Sequence, residues 1–168
     1  MSDLLSSRRA AFSEDRLYRY TLSVIWDVTK PLIVFVMLNP STADEHANDP
    51  TVERCERRAR KMGAGGLMVV NLFALMSTDP AALYVSPDPI GLENDRHIHG
   101  AIALAKGSGG MVICGWGTHA ESVRKGRAAK IRAICGMVGI EPQALEVNKD
   151  GSPKHPLYVG YDKEPKPF

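Results

Sequence analysis

The sequence predicts an α/β fold built on a short, mainly parallel four-stranded sheet, with one further strand near the N-terminus. Three observations predict it. Short apolar runs recur with no polar residue inside them, as in strands buried on both faces. Segments carrying helix start and stop signals separate those runs. The resulting order is strand, helix, strand, helix, strand, helix, strand, and right-handed crossovers then place helices on both faces of a parallel sheet.

Each element has its own reason. Residues 1–13 read as a loose leader. Residues 17–26 (LYRYTLSVIW) mix aromatic and β-branched residues with polar ones and read as the extra strand, closed by a turn over 27–30. Residues 32–38 (LIVFVML) form the first buried strand, which ends abruptly at Asn39-Pro40-Ser41-Thr42. Asp49 suits a helix cap and Pro50 the first helical position. A charged helix then runs to about Met62, turns Val52, Cys55 and Ala59 inward, and stops at the glycine-rich stretch 63–66.

Residues 67–71 (LMVVN) are the second buried strand, and Thr78 or Asp79 with Pro80 opens a short helix. A further helix over 94–106 carries Ile98, Ile102 and Ala105 inward, and 107–110 form a loop. Residues 111–115 (MVICG) are the third buried strand. A basic amphipathic helix spans 119–136, 144–147 form a fourth short strand, and the chain from Gly151 onward is loop-rich.

With 168 residues, the chain has the length of one domain over 1–168. It is 44% hydrophobic and 24% charged, which predicts a packed core. A net charge of +2 neither requires nor excludes a polyanionic partner. Two local clusters say more: Arg54, Arg57, Arg58, Arg60 and Lys61, and then Arg124, Lys125, Arg127, Lys130 and Arg132. They read either as solvated helix faces or as phosphate-facing patches. The three cysteines, Cys55, Cys114 and Cys135, are scattered and form no CxxC, which argues against a disulfide framework and fits a reducing compartment. Residues 1–19 contain no apolar signal region, and the run 32–38 is too short to span a bilayer. A cytoplasmic location without membrane contact is expected.

In open α/β sheets, ligands bind beyond the carboxyl ends of the strands. After the first buried strand come Asn39, Pro40, Ser41 and Asp44; after the second, Asn71 and Phe73; after the third, Trp116 and His119; after the fourth, Asn148, Lys149 and His155-Pro156. Each has a plainer reading beside the functional one. Asn39-Pro40-Ser41 also suits a turn, and Asn71 suits strand-end backbone. Trp116 suits packing, and His155 a surface loop. His97 and His99 point apart on a helix, so no joint metal site is expected. The sequence carries no GxGxxG, Walker loop or GxSxG, and no cofactor is expected. Ser41 and His155 pair only nominally, because Ser41 lacks a nucleophile elbow.

The strings VFVMLNPSTAD, GLMVVNLFALMSTDP, MVICGWGTHA and GSPKHPLYV resemble a bacterial family known only as a domain of unknown function. More distantly they are similar to the uracil-DNA glycosylase superfamily, whose fold is a three-layer αβα arrangement on a short parallel sheet. Asn39-Pro40 stands where that superfamily has its first motif, Asn71 where it reads a flipped base, CGWGTHA where it has LWG with a following His, and His155-Pro156 where it has its final His-Pro. Met37 replaces a usual Gly, and Leu157-Tyr158 replace a usual Ser-Pro. Three cysteines do not suffice for the four-cysteine iron–sulfur cluster of some branches.

The resemblance implies a base-processing protein that hydrolyses an N-glycosidic bond on DNA or a nucleotide. In it Asn39 holds water, with Asp44 or Asp49 as the candidate assisting carboxylate. His155 stabilises the departing base, Asn71 pairs with its edge, and Pro40, Ser41, Phe73 and Trp116 line or stack on it. Arg124, Lys125 and Arg127 meet phosphates. A binding module that keeps the cleft without turnover is the alternative, and an unrelated small-molecule hydrolase using Asp44, Asp49 and His155 is the second.

Overall fold

A computed structural model describes residues 6–168. The described residues form one seven-stranded mixed sheet in the order β1-β2-β4-β3-β5-β6-β7, with five α-helices. The strands are β1 (Ser7–Phe12), β2 (Arg19–Ile25), β3 (Leu32–Met37), β4 (Gly66–Asn71), β5 (Met111–Cys114), β6 (Pro142–Ala144) and β7 (Lys166–Pro167). The helices are α1 (Pro50–Lys61), α2 (Ala81–Val85), α3 (Asn94–Gly107), α4 (Ala120–Val123) and α5 (Arg127–Val138). The block β4-β3-β5-β6 is parallel. β1 and β2 extend it antiparallel on one side and β7 on the other.

Every residue of β3 is buried. Its side chains alternate between two cores, as the strand period of two requires. Val34 and Val36 join Ile98, Ala101, Ile102 and Ala105 of α3 and Ile131 and Ile134 of α5. Ile33, Phe35 and Met37 join Val52, Cys55 and Ala59 of α1. The apolar run of this central strand thus supplies both cores at once.

α1 starts where its cap dictates. Asp49 Oδ1 accepts from Val52 N at 2.8 Å, Pro50 follows at the first turn, and Arg58, Arg60 and Lys61 close the last turn against the helix dipole. Ion pairs Arg57–Glu53 and Arg60–Glu56 are spaced i,i+4.

Four expectations need correction. The four-stranded sheet is seven-stranded, because hairpin and tail strands add to both edges of the parallel block. The loose leader is wrong from Ser7 onward: Ser7 to Phe12 pair with β2 in full register, apart from one shift at Phe12. Residues 1–5 of that leader lie outside the described residues. The expected basic helix over 119–136 is two helices, because Gly126 takes a left-handed φ of 83° and its N–H is held by Glu121 Oε2. The fourth parallel strand is Pro142–Ala144, not 144–147. Beyond it Val147 makes only an isolated bridge to Pro153.

Candidate functional site

The carboxyl ends of β3, β4 and β5, together with the segment after β6, surround a cavity of about 570 Å³. β3 delivers Asn39, Pro40 and Ser41 to it, and β4 delivers Asn71. Trp116 follows β5, and His155 arrives from the loop after β6. Asp49, at the start of α1, completes the wall beside Thr51. These residues come from five separate stretches of chain. Their convergence follows from the parallel register, in which Met37 stands beside Asn71 and Val36 beside Cys114.

Asn39 is oriented without ambiguity. Its Nδ2 donates to the carbonyls of Ser77 (2.9 Å), Pro40 (3.2 Å) and Leu75 (3.4 Å), so its Oδ1 is the end left for another donor. Asn71 is the opposite case. It is 1% exposed, and neither Nδ2 nor Oδ1 has a partner among the described residues. Its backbone, by contrast, is fastened: Asn94 Nδ2 donates to the carbonyls of Asn71 (2.9 Å) and Leu72 (3.2 Å).

His155 is half-buried, and burial pushes its imidazole below the ordinary value of 6.5, against the opposing pull of Asp49. Its Nδ1 accepts from Leu157 N at 3.2 Å. The accepting nitrogen carries no hydrogen, so the neutral ring keeps its proton on Nε2. Pro156 is seated by a close approach. A Cβ at Gly115 would lie 2.7 Å from Pro156 Cδ, so only glycine lets this loop come down on the end of β5. Arg54 of α1 holds the same loop from the other side, donating to Pro156 O and Val159 O.

Asp49 is 8% exposed, and both its oxygens serve backbone: Oδ1 the Val52 N–H and Oδ2 the Ala43 N–H. Asp44 does not line the cavity. Its carboxylate accepts from the N–H groups of His46 and Ala47, which hold it below the usual carboxylate range. Phe73 is fully buried in the core and is also absent from the wall, so its ring offers no stacking face. Trp116 is 3% exposed, belongs to the same core and meets the Phe168 ring edge-on at 5.8 Å, yet part of it reaches the cavity.

The basic clusters divide differently from expectation. Arg124 and Lys125 are exposed, but Arg127 is buried, donating to Leu72 O at 2.8 Å and pairing with Asp95 at 2.6 Å. It braces the chain next to Asn71 and presents nothing to a phosphate. Arg58 is likewise buried and donates to the carbonyls of Val159, Gly160 and Lys163.

Sequence reasoning missed Arg19. It is 1% exposed, lines the cavity and donates to Ala43 O at 2.6 Å, while its Nε has no partner among the described residues. Burial lowers it to about 10, so it stays cationic at neutral pH. The available signal was an arginine between Tyr18 and Tyr20 in a segment otherwise suited to a strand. Among the described residues, no group of three His, Cys, Asp or Glu side chains is placed to hold a metal ion, and no helix is long and apolar enough to cross a membrane.

Fold and site together define a mixed α/β domain with a cavity at the carboxyl ends of its central parallel strands. The chain belongs to the family described as "Protein of unknown function (DUF1643)", which it matches over residues 19–157. No curated protein gives a match. Among solved structures, a hetero-hexameric glutamate dehydrogenase from Thermus thermophilus in its leucine-bound form is similar at 15% identity and a TM-score of 0.37. That match covers 80% of this chain and 31% of the dehydrogenase chain.

Proposed function

We propose that the cavity binds the base of a nucleotide or of DNA, and that the protein hydrolyses its N-glycosidic bond. The observation that carries this reading is the Asn71 side chain. A buried amide without partners costs about 1–3 kcal/mol. It offers one donor and one acceptor side by side, the complement of a base edge. The resemblance to uracil-DNA glycosylases supports the same role.

The remaining residues follow from their hydrogen bonds. Asn39 Oδ1, turned away from the three carbonyls that hold Nδ2, accepts from a water. The water oxygen bonds to the sugar's anomeric carbon as the bond from that carbon to the base breaks. The base leaves with the electron pair, and His155 Nε2–H hydrogen-bonds its developing negative charge. The water's proton passes to solvent, and the base takes one up. Of the three side chains expected to meet a nucleic-acid backbone, Arg124 and Lys125 are exposed and keep that role.

One observation favours a second reading, a binding module without turnover. Among the described residues, the only carboxylate in the cavity wall is Asp49, and both its oxygens are engaged by backbone N–H groups. The test pairs a titration with a base-release screen over oligonucleotides carrying different modified bases. Release that disappears in Asn71→Ala and His155→Ala, with the fold intact, supports hydrolysis. Saturable binding without release supports the module. Neither binding nor release contradicts both.

A further inference from the structure

Two buried residues with unpartnered polar atoms line this cavity, and the reading above uses only one of them. The other is Arg19. Its guanidinium has a single protein acceptor, Ala43 O, and its Nε has none among the described residues. The carboxylate that acts on it most strongly is Asp49, whose oxygens are held by the N–H groups of Val52 and Ala43. The Arg8 cation and the Asp44 carboxylate act on it more weakly and with opposite sign. A cation is expensive to bury without hydrogen bonds to all its donors. The one bond to Ala43 O leaves Nε free for a ligand.

Arg19 and Asn71 lie on the same side of the sheet. In the β2–β4 register Leu22 faces Val69, and both belong to the α1-side core. Arg19 reaches that side through Ala43, and Asn71 reaches it by alternation from Val69.

We propose that Arg19 forms an oxyanion subsite in the cavity wall, so that the ligand carries a negatively charged oxygen besides the edge read by Asn71. The subsite rests on the base-binding reading for the rest of the ligand. The anion is a phosphate of a nucleotide or a carboxylate on the ring, and the experiment separates these sources.

The test is calorimetric titration of the full chain with uridine, uridine 5′-monophosphate, orotate and inorganic phosphate. Wild-type protein is expected to bind the monophosphate or orotate at least about tenfold more tightly than uridine, the scale of one charge-assisted hydrogen bond. Tighter monophosphate points to a phosphate source, and tighter orotate to a ring carboxylate. The preference should vanish in Arg19→Met and persist in part in Arg19→Lys. Equal wild-type affinity for uridine and both anions overturns the subsite while leaving the base reading in place. This comparison needs no variant and so survives any folding defect at position 19. A preference retained in Arg19→Met also overturns it. Arg19-dependent phosphate binding with no pyrimidine bound supports the subsite and contradicts the base reading. No binding of any probe overturns both.

Discussion

Asn94, fully buried at the start of α3, donates its side-chain amide to the main-chain oxygen of Asn71, 2.9 Å away. The same amide also reaches Leu72 O, where Arg127 Nε arrives as a second donor. The two carbonyls at the end of β4 are thus held from behind, while the Asn71 side chain in front of them has no partner among the described residues. The rigid backbone fixes a free amide, which is what recognition of a planar edge requires.

Asn94→Ala should therefore act on both stability and binding. It removes two donors from buried carbonyls, one of which keeps Arg127. The expected loss is about 2–3 kcal/mol in a urea titration, together with weaker ligand binding. Unchanged stability would show that the bracing is idle.

Asn71→Leu should separate the two properties. Leucine fills a similar volume and removes two unpartnered polar atoms, so the unliganded protein should keep its stability or gain about 1 kcal/mol. Ligand binding should be lost. A clear drop in melting temperature would mean that the amide has a structural partner.

The acid limb of stability should depend on His155. Burial lowers its value in the folded state below 6.5, so below that pH the unfolded chain takes up the proton first. Stability is full above the unfolded value and falls as the pH drops from about 6.5 toward the folded one. Protonation also replaces the Nδ1 acceptor with a donor facing Leu157 N–H. His155→Gln should flatten this limb, leaving the part due to His97, which burial lowers in the same direction. Denaturation series between about pH 5 and 8 would show it; an unaltered limb contradicts the assignment.

Gly115→Ala places a methyl 2.7 Å from Pro156 Cδ and 3.0 Å from its Cγ. The loop carrying His155 must lift. An overpacking cost of about 1–3 kcal/mol is expected, with binding weakened more than by an alanine substituted within β5. Thermal melts and titrations on the same variant test this.

The parallel core was readable because its strands are buried on both faces, which leaves unbroken apolar runs such as 32–38. β1 was not, since its alternation of exposed and half-buried residues (SRRAAF) carries little pattern until β2 is beside it. The cavity wall was readable where polar residues followed those runs, at Asn39, Asn71 and His155. It was obscured wherever a charge is satisfied by a partner far along the chain. Arg127 reads as surface until Asp95 and Leu72 O are brought to it, and nothing singles out Arg19 until Ala43 O is beside it. Phe73 misled for the reverse reason: lying two residues past a strand end did not decide which way the ring turned.

The most direct measurement follows the side-chain amide of Asn71 itself. In a ¹⁵N-labelled sample its NH₂ signals are identified by their absence in Asn71→Leu, and a nucleoside or nucleotide is then titrated in. Saturable movement of those signals, with the Asn39 amide largely still because its carbonyls hold it, is the predicted result. Binding that leaves the Asn71 signals unmoved would contradict the account.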